Sequence, residues 1–315
     1  MGTAATHPAA GKAAGREQGV WRRRFGDALT GLAIWLPLIA SAGHVVVFTA
    51  WTTWVSFTAS SVMPDYDWVG LRNYFAVTRT ANFQIAYVNL VIFGSGLVLL
   101  TMALGLLLAV LLDQRVRGEN VLRTIFLYPL AVSFVVTGTV WSWLLNPGLG
   151  IQKVVHNLGW TDFRFDWLVQ SDKAIYCVII AGVWQGAGFA MALFLAGLRS
   201  VDADLIKAAQ IDGAGPARIY RKVILPSIAP IFIAVAVVLL QFAIKTFDLV
   251  VALTQGGPGI STTFPANYVY DLMFQRGQIA IGAAASIMML LALAVVLVPY
   301  ALWTVWRSRR EAARG

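Results

Sequence analysis

Charge is scarce in this chain of 315 residues: Asp, Glu, Lys and Arg together make up 12%, where a soluble globular domain carries roughly 25%. With the apolar share that replaces it, that deficit excludes a chain disordered or collagenous throughout and argues against an ordinary soluble enzyme. Cysteine is nearly absent too. Cys177 stands alone, so no disulfide framework forms within the chain. Three scattered histidines and this cysteine offer no zinc-ligand spacing. The sequence also lacks a G-x-x-x-x-G-K-[ST] phosphate loop and a G-x-S-x-G elbow, which removes ATP binding by that loop and the hydrolase chemistry of that elbow. What fills the space is apolar: 58% of residues are hydrophobic and the mean hydropathy is +0.71. The solvent of such a chain is lipid.

A membrane span needs about 20 mostly apolar residues. Six runs satisfy this, at 29–57, 88–112, 121–145, 174–198, 228–253 and 279–303. The first is too long for the apolar region of a signal peptide, and no small-residue cleavage site closes it. Residues 1–18 are polar and rich in Ala and Gly, as in a disordered cytoplasmic tail. The expected organisation is therefore a tail over 1–28, an all-α, six-span domain over 29–305 and a basic tail over 306–315.

The net charge of +9 is read from its distribution. With the N-terminus in the cytoplasm, the inner segments hold 17 of the 24 Lys and Arg residues and the outer segments 6, leaving Lys245 within a span. The inner set is Lys12, Arg16, Arg22, Arg23, Arg24, Arg115, Arg117, Arg123, Arg199, Lys207, Arg218, Arg221, Lys222, Arg307, Arg309, Arg310 and Arg314. The positive-inside rule then gives a multi-pass protein with both termini cytoplasmic. The basic balance is topology, and no nucleic-acid partner is expected.

The segment 199–227 between the fourth and fifth runs reads as a short helix, a glycine break, a second short helix and a proline opening the next span. Asp202 or Asp204 is placed to cap the first helix, Gly213 to end it, and Pro226 to sit at a helix start. Leu205, Ala208, Ala209 and Asp212 fall at helical spacing and make a small-residue face. Lys207-Ala208-Ala209, three residues, Gly213, nine residues, then Val223-x-Leu225-Pro226 resembles the EAA loop of ABC importer permeases. Lys207 stands where that family has glutamate, and Val223 where it has isoleucine. Trp184-Gln185-x-x-Gly188-Phe189 and Phe194-Leu195-Ala196-Gly197-Leu198 are similar to the fourth span of its carbohydrate-type members. The run 253–259, Leu-Thr-Gln-Gly-Gly-Pro-Gly, followed by Ser261-Thr262, resembles the signature after their fifth span, in the form carried by the first, maltose- and glycerol-phosphate-type permease.

The resemblance implies a type I ABC importer permease bundle in a bacterial inner membrane. It implies a carbohydrate substrate, a second homologous permease, a dimer of cytoplasmic ATPase subunits and an extracytoplasmic sugar-binding protein. ATP and Mg would be bound by the ATPase, leaving this chain without catalytic residues, a cofactor or a metal. Asp204, Lys207, Ala208, Ala209, Asp212, Gly213, Leu225 and Pro226 would form the loop that docks in the ATPase. Lys207 would repel the basic group that the family glutamate meets. Either Asp204, on the same face, takes over or the ATPase groove differs.

Polar groups inside spans mark candidates for the substrate pathway, since a central charge costs about 2.5–3.5 kcal/mol on insertion scales. Gln241, Lys245 and Asp248, at i, i+4 and i+7, would share one helical stripe suited to sugar hydroxyls. Lys245 could equally snorkel at the outer boundary or meet a partner permease. Asn89, Gln185 and Trp184 are further pathway candidates; Gly256, Gly257, Pro258, Tyr268 and Tyr270, with Asn267, suit an outer gate or a binding-protein dock. His44, alone in the first run, reads as a helix contact. Two other classes stay open. A self-sufficient carrier or channel would need no docking loop, and an enzyme acting on lipid-linked sugars would need a carboxylate cluster at one interface.

Overall fold

The computed structural model describes residues 35–114 and 116–312. The tail 1–28, the opening 29–34 of the first expected span, and Lys12, Arg16, Arg22, Arg23, Arg24, Arg115 and Arg314 lie outside the described residues. The chain forms two units, 1–54 and 55–315. The described part of the first is the long apolar helix α1 (Trp35–Ser56), whose end continues into the second. Within α1 the His44 ring lies 4.3 Å from that of Phe48, one turn on, as expected of a helix contact.

The second unit consists of α2 (Arg72–Thr78), α3 (Ala81–Asp113), α4 (Glu119–Ala131), α5 (Phe134–Leu144), α6 (Ile151–Asn157), α7 (Ala174–Ser200), α8 (Ala203–Ile211), α9 (Pro216–Ile219), α10 (Leu225–Ser227), α11 (Ala229–Lys245), α12 (Asp248–Leu253), α13 (Pro265–Tyr270) and α14 (Ile279–Ala312). Short π-helical stretches follow α9 and α13, at Tyr220–Ile224 and Asp271–Gln275. Among the described residues the only β-pairing is an isolated bridge between Thr58 and Trp68. The all-α expectation holds.

Four helices, α1, α3, α7 and α14, are long and apolar enough to cross a membrane, and two bent pairs bring the count to six if each is one span. Here the structure corrects three readings. The third expected span is not one straight helix: α4 and α5 meet at 100°, because Val132 and Ser133 are extended. Ser133 then caps α5, its hydroxyl accepting from the Val136 amide at 3.3 Å. The fifth expected span stops at Lys245, where Thr246 turns extended and α12 starts afresh at Asp248. Pro226 does not open that span. It lies within the helical run 216–227, and the span begins 63° away at Ala229, with Pro230 in its first turn.

The bundle of the second unit is built around α7. Phe93 and Leu97 of α3 pack with Ile175, Val178 and Ala181 of α7 and with Leu249 and Val250 of α12. Further along, Ala109 and Leu112 of α3 pack with Met191, Phe194 and Leu198 of α7 and with Val235 and Leu239 of α11. Close approach explains one glycine of α7: a Cβ on Gly188 would run into the carbonyl oxygen of Phe126 in α4. The outward faces stay apolar, with Val91, Leu99 and Val295 exposed. A helix apolar all round suits a lipid surrounding.

Candidate functional site

Two of the helix interruptions, α4–α5 and α11–α12, open onto one cavity of about 240 Å³. Leu130, Val132, Ser133 and Phe134 line it from the α4–α5 break, Thr246 and Leu249 from the α11–α12 break. Phe93, Gly182, Gln185, Leu239 and Phe242 are among the residues completing it from the continuous helices. A broken helix frees main-chain groups that hydrocarbon cannot satisfy, so such breaks persist only against protein or a wet cavity. The Val132 carbonyl is met by Gln185 Nε2, which donates to it at 2.7 Å. Thr246 donates its hydroxyl to the Phe242 carbonyl at 2.8 Å, closing the last turn of α11.

Gln185 is only 4% exposed, and its buried Oε1 has no hydrogen-bond partner among the described residues. The donation to Val132 fixes which end of the amide faces which way. The side chain therefore secures the break, while its Oε1 is buried behind the cavity lining. Phe93, Phe134 and Phe242 supply apolar faces. The arrangement can hold a molecule with hydroxyl donors and apolar CH surfaces.

Of the other pathway candidates, Gln241, Lys245 and Asp248 do not form one stripe, because the helix breaks at Thr246 between the second and the third. Lys245 and Asp248 are exposed and line a smaller pocket of about 70 Å³ that shares Phe134, Phe242, Thr246 and Leu249 with the main cavity. No ion pair joins them among the described residues. Gln241 is half-buried on α11, outside the cavity lining. Trp184 is partly exposed with its ring edge-to-face to Trp141 at 6.0 Å, also off the lining.

Asn89 is buried and holds the turn after α12, donating from Nδ2 to the carbonyls of Ser261 at 2.8 Å and Thr263 at 2.9 Å. In that turn Thr262 ties itself to the Gly256 and Gly257 carbonyls, with Pro258 following. Tyr268 is buried, sharing a 2.8 Å hydrogen bond with Thr80. Tyr270 is exposed between the rings of Phe247 and Phe274, at 5.3 and 5.2 Å. The two tyrosines thus sit in different surroundings: one locks α13 to α3, the other faces outward.

The segment 199–227 forms a second surface. Asp202 Oδ1 accepts from the Asp204 amide at 2.9 Å and caps α8. Gly213, with φ of +76°, ends it: Gly213 N donates to Gln210 O and Ala214 N to Ala209 O, both at 3.0 Å. This is the left-handed helix terminus that glycine serves best. Ile206 and Ala209 turn inward, while Asp204, Leu205, Lys207, Ala208, Ile211 and Asp212 are exposed. Lys207 Nζ pairs with Asp204 Oδ1 at 3.0 Å. Leu225 packs inward and Pro226 is exposed.

Charges at the root of this segment were visible in the sequence only as topology signals. Arg199 Nη2 lies 2.8 Å from Glu119 Oε1, and its Nε 3.7 Å from Asp113 Oδ1. At Tyr220, burial first, and then the charge of the same Asp113, raise the phenol's pKa. Ser133 and Thr246 were also missed as site residues. Their signals were an N-cap residue four positions after Pro129 and a polar interruption ahead of Asp248.

Comparison with known proteins meets this geometry. A probable ABC transporter permease protein of Pyrococcus horikoshii is 36% identical over 276 residues, covering 85% of this chain and 93% of that one. The xylose/arabinose import permease protein XacH of Haloferax volcanii is 34% identical, covering 84% of each chain. The trehalose/maltose transport system permease protein MalF of Thermococcus litoralis is 31% identical over 84% of this chain and 90% of its own. Among solved structures, a chain of a bacterial ABC transporter involved in the import of the acidic polysaccharide alginate superposes with a TM-score of 0.75 at 24% identity, over 92% of this chain and 98% of that one, and shares its fold. Residues 101–311 match the binding-protein-dependent transport system inner membrane component family, and it is to this family of membrane permeases that the chain belongs.

Proposed function

We propose that the chain is one permease half of an ATP-driven, binding-protein-dependent importer of a carbohydrate. A second, homologous permease completes the pathway, two ATPase subunits bind ATP and Mg and hydrolyse the nucleotide, and an external binding protein presents the sugar. Both ends of the chain face the cytoplasm, and α8 is the helix that meets the ATPase. The relatives named for xylose, arabinose, trehalose and maltose support the substrate class. The observation that carries the reading is the cavity lined from two helix breaks by aromatic side chains and by Gln185, whose buried Oε1 has no partner among the described residues. At about 240 Å³ it is below the roughly 300–1,000 Å³ of complete small-ligand sites, as suits a pathway shared by two subunits.

A sugar hydroxyl donates to Gln185 Oε1 while the phenylalanine rings cover CH faces. The rigid amide, held by Val132, positions that acceptor. Neither a carrier nor an enzyme needs the exposed, Gly213-ended helix with the spacing of a docking loop.

The first test is a gentle pull-down of the tagged chain from native membranes. An ATPase with a phosphate loop and a second six-span protein should travel with it; the chain alone, or only copies of itself, would sink the importer. With the complex in hand, Gln185→Leu should raise the transport KM for the sugar at least tenfold, a loss of about 1.4 kcal/mol. An unchanged KM would remove Gln185 from the pathway.

A further inference from the structure

Arg199 occupies the last turn of α7 and reaches two carboxylates on either side of the α3–α4 turn. Asp113 is the last residue of α3 and Glu119 the first of α4. Each charge near α4 and α7 sits where the helix dipole favours its sign, a carboxylate at an N-terminus and a guanidinium at a C-terminus. The group is only partly buried, with side-chain exposures of 42% for Arg199, 29% for Asp113 and 23% for Glu119. Beside them Leu112 of α3 and Tyr220, the first residue of the π-helical stretch that follows α8 and α9, belong to one apolar cluster.

Three separate pieces of the chain therefore meet at this node: the end of α3, the start of α4 and the end of α7, which leads directly into the segment that carries α8. From Glu119, α4 runs along α7, touches it where the Phe126 carbonyl faces Gly188, and ends at Val132, whose carbonyl Gln185 holds beside the cavity. A displacement of the 203–224 segment thus has a continuous set of hydrogen-bonded and packed contacts leading to the break that lines the cavity.

We infer that Arg199 is a positioning residue that ties the placement of the α8–α10 segment to α4, and through α4 to the cavity. The inference rests on the importer reading. Its substance is the charge node, since Arg199 touches neither the ATPase-facing surface of α8 nor the cavity.

The test uses the complete complex and reads sugar transported per ATP hydrolysed, with complex yield and basal ATPase rate as controls. Arg199→Gln should lower transport per ATP at least about fivefold, the low end of coupling between sites, with yield and basal hydrolysis retained. Arg199→Lys should recover part of the loss through Glu119. Glu119→Gln should move the ratio in the same direction, and the double variant Arg199→Gln/Glu119→Gln should fall no further than the worse single one. A ratio that stays constant while yield falls would reduce the node to a fold clamp and overturn the inference, as would additive losses in the double variant. If the wild-type chain forms no complex with an ATPase, the importer reading itself fails, and the role of Arg199 with it.

Discussion

α7 and the α4–α5 pair run side by side and solve the same problem in opposite ways. α7 is continuous over 27 residues and is the most buried of the long apolar helices. It tolerates glycines, each of which costs about 1 kcal/mol in a helix, because neighbouring side chains, and at Gly188 the α4 backbone, press against them. The α4–α5 pair turns through 100° and leaves a main-chain carbonyl at the bend. One helix supplies packing, the other a break. The link between them is Gln185, whose amide goes from the continuous helix to the Val132 carbonyl of the broken one. A straight, small-residue span is what allows its neighbour to be irregular, and the cavity lies where the two strategies meet.

The largest effect expected from disturbing this contrast is at Gly188. Gly188→Val puts a branched side chain against the Phe126 carbonyl, and main chain cannot yield as a flexible side chain does. Overpacking costs typically 1–3 kcal/mol, and this contact should reach or exceed about 3 kcal/mol, seen as lost folded protein in detergent gel filtration. Gly188→Ala should fall between the two. A wild-type yield for the valine variant would mean that α4 does not lie so close. The broken side yields a smaller change. Ser133→Ala removes the cap of α5 and should cost about 1 kcal/mol, a few degrees in thermal unfolding, while leaving α7 protected in hydrogen exchange. If α7 loses protection equally, the two helices are one cooperative unit and the contrast is too sharp.

The all-α class, the number of apolar runs and both ends of α8 were legible in the sequence, because each is written in side chains close together along the chain. Asp202 at the cap and Gly213 at the stop are local signals, and the structure selects Asp202 over Asp204. The breaks were hidden. Hydropathy averaged over 121–145 and 228–253 reports apolar content and is blind to a change of direction between two apolar halves. The supposed stripe of Gln241, Lys245 and Asp248 assumed an unbroken helix and failed at Thr246. Gln185 was legible as a polar residue in a span, but its partner is a backbone carbonyl 53 positions away, which no residue type announces. The Arg199 node escaped for a similar reason: its members lie at the ends of different helices and register in sequence only as charges.

The smallest thermodynamic effect is expected on α8, the element proposed to meet the ATPase. Lys207 and Asp204 form an i,i+3 pair with side-chain exposures of 67% and 82%. Pairs of this kind contribute about 0.2–0.5 kcal/mol, so neither Lys207→Ala nor Asp204→Ala should shift the unfolding temperature measurably. Any change in transport per ATP then reports docking, not folding. Asp204→Ala should uncouple the complex more than Lys207→Ala does, because it leaves an unpaired ammonium on the docking face and removes the carboxylate that can stand in for the family's glutamate. Raising ionic strength should narrow the gap, since exposed charges are screened beyond about 8–10 Å at physiological salt. The reverse order would make Lys207 the anchor and place an acidic group opposite it on the ATPase.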